Sequence, residues 1–143
     1  MPLSAILVPV DFSDASRKAL DTAVEIAKGV GARIEIIFAQ EVLTYRGVRY
    51  EEVLSLKTRA EQREEAEQAL EEWTVAARAG GVKASHRIID GDARQVIVKT
   101  ASETGADLIV LGAKGRSRVA DILVGSVATE TARSAPCSVM LVR

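Results

Sequence analysis

Five short apolar runs constrain what this chain can become. They are Ala5-Ile6-Leu7-Val8, Ile34-Glu35-Ile36-Ile37-Phe38, Val82 to Ile89, Leu108-Ile109-Val110-Leu111 and Val139-Met140-Leu141-Val142. Each is β-branched or Leu-rich and short, as strands buried on both faces are. The third run is different. Lys83, Ser85 and Arg87 alternate with Val82, Ala84, His86 and Ile88, the pattern of a half-exposed edge strand.

Helical patterns separate the runs. Ser13 is placed to cap a helix from Asp14 whose apolar positions Ala19, Leu20, Ala23, Val24, Ile26 and Ala27 keep helical spacing, with Gly29 and Gly31 as stop signals. A longer pattern runs from Tyr50 to Arg78 and ends at Gly80-Gly81. A third covers Ala93 to Glu103 and ends at Gly105. A fourth opens at Gly125-Ser126 and stops before Pro136, because the residue preceding proline disfavours the α region. Thr44 to Val48 is expected to be an irregular insertion. Strands alternating with helices imply a parallel sheet covered on both faces, an α/β fold. At 143 residues with no linker or repeat, the chain is expected to form one domain over residues 1–143.

Composition removes several classes of function. Nineteen basic against twenty acidic residues leave a net charge of −1, so no global basic field exists to hold nucleic acid or an anionic membrane. Aromatics at 3% argue against a base-stacking surface. One histidine and one cysteine cannot fill a tetrahedral metal shell, and Cys137 cannot form an internal disulfide. The N-terminus lacks a basic leader and no run approaches a bilayer span, so a cytoplasmic location is expected by default.

In a doubly wound sheet, ligands bind beyond the carboxyl ends of the strands where strand order reverses. The residues following the runs are therefore the informative ones: Pro9-Val10-Asp11-Phe12-Ser13, Ala39-Gln40-Glu41, Asp90-Gly91-Asp92 and Gly112 to Arg118. The last carries the strongest signal. Gly112 and Gly115 flank a turn out of a buried strand, where glycines let backbone N–H groups converge on an anion. Lys114, Arg116 and Arg118 add positive charge, and Gly125-Ser126 opens a helix whose N-terminus favours phosphate. A plain chain turn with solvated basic side chains explains the glycines equally well when the loop is taken alone.

The spacing Gly112-Ala113-Lys114-Gly115, then Arg116 through Val124, then Gly125-Ser126 resembles the phosphate motif of the universal stress proteins, in their nucleotide-binding branch. Ile6 to Ser13 is similar to that family's first strand and turn, and the likeness covers essentially the whole chain. It implies a single five-stranded parallel sheet of order 3-2-1-4-5, in the manner of the adenine nucleotide α-hydrolases. It also implies a bound adenine nucleotide, ATP or another, with Mg²⁺ as a candidate companion ion. Carried over, Pro9, Val10 and Asp11 would line the adenosine end. Ala39, where the family often has a larger aliphatic residue, would sit by the base. Leu111 and Gly112 would lie near ribose and phosphate. Lys114, Gly115 and Arg116 would approach the phosphates, with Gly125, Ser126 and Val127 closing the other side. The resemblance further implies a homodimer through the last strand and a role as stress sensor or regulator, with at most slow ATP hydrolysis. An interaction module of the same fold, acting through an unidentified protein partner without nucleotide, is the alternative.

Competing readings attach to several residues. Asp11 is also placed to serve a turn or helix cap. Gly29-Val30-Gly31 follows a helix and precedes a strand, the wrong context for a dinucleotide fingerprint, and no Walker A box is present. His86, mid-strand, reads as packing or surface. Asp90 and Asp92 read as a turn capping the third helix. Cys137 reads as a buried structural thiol. Arg63 is spaced to attract Glu67 on the solvated face of the long helix, with Leu70 and Trp73 on its buried side.

Overall fold

The computed structural model describes residues 2–41, 44–45, 48–49, 56–115 and 124–143. The first apolar run forms β1 (Ala5–Pro9), buried along its whole length. It is followed by α1 (Asp14–Val30), β2 (Arg33–Gln40), β3 (Thr44–Tyr45), β4 (Val48–Arg49), α2 (Leu56–Ala79), β5 (Ala84–Asp90), α3 (Ala93–Thr104), β6 (Leu108–Gly112), α4 (Ser126–Ser134) and β7 (Ser138–Val142). The main sheet has the order β5-β2-β1-β6-β7 with every pair parallel. Counting only its own strands, that is the order 3-2-1-4-5. The half-exposed strand β5 lies at an edge, as its alternation predicts.

Because successive strand residues point to opposite faces, β1 feeds two cores. Ile6, Val8 and Val10 join Ile34, Ile36, Leu108 and Val110 beneath α1 and α2, where Ala19, Leu20, Ala23 and Leu70 pack. Leu7, Ile37, Ile109 and Leu111 face α3 and α4, packing with Val96, Ile97, Ala101 and Ala128. Each fully buried Val, Leu or Ile contributes roughly 1.5–3 kcal/mol. The double burial of the central strands is why they read as continuous apolar runs.

The segment from Thr44 to Val48 is not wholly irregular. Thr44 and Tyr45 pair antiparallel with Val48 and Arg49, consistent with the strand preference of Thr, Tyr and Val. The first residues expected in the long helix, Tyr50 to Ser55, lie outside the described residues. Within α2, Leu70 is fully buried and Trp73 packs against the first core. Arg63 does not pair with Glu67. Its guanidinium donates to Gln40 Oε1 at 3.1 Å and to Asp90 Oδ1 at 2.9 Å, while Glu67 meets His86 Nε2 at 2.7 Å. A tertiary carboxylate at the end of β5 outcompetes the weak i,i+4 pairing.

Across the opposite end of the sheet, Asp107 ties the chain's start to β6. Its Oδ2 accepts from the backbone N–H of Ser4 at 2.9 Å and of Ala5 at 3.0 Å, and from the Ser4 hydroxyl at 3.0 Å. These bonds, the Ser4 amide first, hold the Asp107 carboxyl below the usual carboxylate range. Burial pushes the half-buried Cys137 thiol up from its ordinary value, away from the reactive thiolate.

Candidate functional site

Chain direction fixes where a cleft must form. From β1 the chain moves outward to β2 and then β5, and returns to the other side of β1 as β6. The connections leaving β1 and β6 therefore diverge, and a crevice opens between them at the strands' carboxyl ends. A cleft of about 250 Å³ lies there. This is near the lower end of ordinary ligand sites, which run to ~300–1,000 Å³.

Pro9, Val10 and Asp11 at the end of β1, Ala39 on β2, Leu111 and Gly112 on β6, Lys114 and Gly115 after it, and Gly125, Ser126 and Val127 at the start of α4 all line it. Eleven of the twelve expected residues thus share one wall or another of a single cleft. The twelfth, Arg116, lies outside the described residues, as does Arg118. Sequence reasoning missed Ser16, Ile37, Phe38, Ala93, Ile97, Ala113 and Ala128, which also line it. Ser16 and Ala93 occupy first turns of helices, and in a doubly wound fold those turns open at the strands' carboxyl ends. That rule was the available signal. Ile37, Ala39, Ala93, Ile97 and Leu111, which pack on one face of the sheet, give the cleft its apolar lining.

The three glycines are present for three different reasons. None has positive φ; among the described residues the left-handed glycines are Gly31, Gly81, Gly91 and Gly105. A Cβ on Gly112 would stand 2.8 Å from Ala15 Cβ and 2.9 Å from the Ala15 carbonyl carbon, so this glycine lets β6 approach α1. A Cβ on Gly115 would stand 2.6 Å from Asp11 Oδ2, so this one lets the loop close against the carboxylate. A Cβ on Gly125 would meet nothing nearer than 3.6 Å, and its φ of −75° suits any residue. Close approach thus accounts for Gly112 and Gly115, and not for Gly125. Gly125 N–H is itself used, donating to Ala113 O at 2.7 Å.

Gly125 matters for a different cause. It is the N-cap of α4, and no side chain caps that helix. In α1, Ser13 Oγ accepts from Ser16 N–H at 3.2 Å. In α3, Asp92 Oδ1 accepts from Arg94 N–H at 2.8 Å. A helix begins with orphan N–H donors and a partial positive charge. At α4 those donors are left to the cleft.

Asp11 serves the turn and lines the cleft together. Its Oδ1 accepts from Ser13 N–H at 3.0 Å, closing a turn around Phe12, and its Oδ2 sits beside Gly115. The helix cap itself is Ser13. Lys114 is half-buried at the cleft wall, and no described residue forms an ion pair with it. A carboxylate, a lysine and open helix amides beside an apolar lining suit a ligand with an apolar ring, hydroxyl donors and an anionic tail.

The sequence pattern of the universal stress protein family matches residues 3–143. The chain belongs to that family. A universal stress protein of Methanocaldococcus jannaschii is 33% identical over 138 residues, spanning 96% of this chain and 81% of the relative. Among solved structures, the universal stress protein UspA from Lactobacillus plantarum superposes with a TM-score of 0.90 at 26% identity, covering 100% of this chain and 99% of its own. A universal stress protein solved in complex with cAMP gives a TM-score of 0.76 at 27% identity, covering 100% of this chain and 98% of its own. The five-stranded parallel sheet of this universal stress protein is that of these neighbours.

The other candidates resolve into structural roles. Asp92 caps α3 and its carboxyl is held low, chiefly by the Arg94 side chain and then by the Arg94 amide. Asp90 pairs with Arg63 and stands 3.4 Å from Arg59. His86 of β5 is half-buried against α2, its Nδ1 3.0 Å from Thr74 Oγ1. No cluster of His, Cys, Asp or Glu among the described residues has metal-site geometry, and no described helix is long and apolar enough to cross a membrane.

Proposed function

We propose that this universal stress protein holds an adenine nucleotide, ATP foremost, and acts as a stress-associated sensor or regulator. The observation that carries the reading is the uncapped N-terminus of α4 opening onto the cleft between β1 and β6. The base lies against the apolar lining, beside Val10, Ile37, Ala39 and Ile97. Asp11 Oδ2 accepts from a ribose hydroxyl. The phosphates lie against Lys114, Gly115, Ser126 and Val127, with Arg116 assigned to the same group. The solved relative with cAMP supports an adenine ring over other bases.

The residues fit the group. The donor set is anion-seeking on one side and apolar on the other, as a nucleotide requires. Mg²⁺ would enter with the phosphates and neutralise their charge. Among the described residues no histidine lines the cleft, and its one carboxylate, Asp11, has Oδ1 tied to the turn and Oδ2 assigned to the ribose. Hydrolysis is therefore slow at most. The protein is read as a cytoplasmic homodimer joined through β7, whose partly exposed Met140 lies on the sheet's free edge. An open, apolar sheet edge invites aggregation, and identical edges meeting about a two-fold axis would pair it.

The test is direct. Denaturing the purified protein should release adenine nucleotide detectable by mass spectrometry, and the ligand-free form should take up ATP in a calorimetric titration. A protein that carries none and takes up none is instead a nucleotide-independent interaction module.

A further inference from the structure

One residue joins the cleft to the packed face between α1 and α2. Phe12 is the one non-glycine residue with positive φ among the described residues, at 63°. For a bulky side chain this is a true outlier, and such conformations persist only where their surroundings over-determine them. Two contacts do so here. On the cleft side, Asp11 Oδ1 takes the Ser13 N–H and closes the turn that brackets Phe12. Away from the carboxylate, the Phe12 ring lies 5.0 Å from Phe38, which itself lines the cleft, and 5.3 Å, edge-on, from Trp73. Arg17 of α1 stacks 5.2 Å over Trp73 of α2. Both phenylalanines and the one tryptophan of the chain meet in this cluster.

We propose that the Asp11-Phe12-Ser13 turn is a coupling element through which occupation of the cleft tightens the aromatic seam between α1 and α2. The inference rests on the nucleotide reading above. In the structure Asp11 Oδ2 faces Gly115 while Oδ1 is tied to Ser13 and Phe12 holds its left-handed backbone, so one carboxylate belongs to both the cleft and the turn. A ligand donor bound at Oδ2 therefore favours that arrangement over a relaxed one in which Phe12 leaves the cluster. This is differential affinity for two states, the requirement for any ligand-driven shift. Trp73 does not line the cleft, so a change in it reports the seam rather than contact with the ligand. The seam carries the half-buried Arg17, which also stands 3.6 Å from Asp21, and a half-buried indole, a surface whose order would change with nucleotide.

Trp73 supplies the readout. ATP is titrated into ligand-free protein while heat and Trp73 emission and acrylamide quenching are followed together. The expected result is a saturable fall in quenching that tracks the heat. Phe12→Gly and Phe12→Asn remove the ring while tolerating the left-handed backbone. Both should keep ATP affinity within about threefold and lose the Trp73 response. Binding heat in the parent without a Trp73 change overturns the coupling alone, as does an intact response in a folded Phe12 variant. No binding heat in the parent overturns the nucleotide reading and the coupling with it.

Discussion

The helices α1 and α4 both begin at the same end of the sheet, yet they treat their first amides differently. In α1, Ser13 caps and the Asp11 turn braces the entry. In α4, a glycine stands where the cap should be, and its own N–H is tied back to Ala113. A capped start stabilises the protein, since losing such a cap costs typically about 1 kcal/mol. An uncapped start gives up that stabilisation and keeps its donors open to a ligand. On the proposed reading, the site is built by omitting an ordinary stabilising interaction, with one residue type marking the omission.

The largest effect should come from closing the cleft. Gly115→Val puts a branched side chain where a Cβ alone would be 2.6 Å from Asp11 Oδ2. ATP affinity by calorimetry should fall about 100-fold, as expected of overpacking against a fixed group. An unchanged affinity would remove Gly115 from the site. Next, Ser13→Ala should cost the α1 helix about 1 kcal/mol in urea unfolding, whereas α4 has no equivalent cap to lose. The sharpest discrimination is Gly125→Ser. There is room for the added side chain, and a serine N-cap would satisfy an α4 amide internally. The ligand-free protein should gain a few tenths of a kcal/mol while ATP affinity drops about fivefold, a loss of roughly 1 kcal/mol. Higher affinity in Gly125→Ser would mean that the open amides are not what binds.

The smallest effect separates the two capped helices. Ser13 does not titrate in the acid range, but Asp92 does, and the Arg94 side chain holds its carboxyl below the ordinary value of 3.8. Its contribution is complete above that value and is lost as pH falls through the lower folded value. The stability profile of the parent between pH 5 and pH 2 should therefore steepen slightly relative to Asp92→Asn. Identical profiles would show that this exposed cap contributes nothing measurable.

Much of this was legible in the residues. The strands announced themselves because β1 and β6 are buried on both sides and carry no polar position, β2 interrupts its apolar run only at Glu35, and β5 betrayed its edge by alternating. Ser13, Gly31 and Gly105 are local devices with local signatures, and each ends or begins its helix as expected. Arg63 was misassigned because its partner Asp90 lies 27 residues away in sequence, and helical spacing sees only neighbours. The left-handed Phe12 had no signature, since its backbone is dictated by Asp11 on one side and by Phe38 and Trp73 on the other. The glycine motif located the cleft correctly, but spacing does not say which atom crowds each glycine. Ala93 and Ile97 escaped notice because their role comes from helix α3 leaning over the sheet.

The reversal of strand order at β1 and β6 has a thermodynamic corollary. One wall of the cleft is drawn from residues 9–39, and the other from residues 93–128. Neither half of the polypeptide owns the site, and it comes into being only once β6 has docked beside β1. A molecule seated there would rivet the early and late halves together, so its free energy would accrue to the cooperative melting of the entire chain rather than to any one segment.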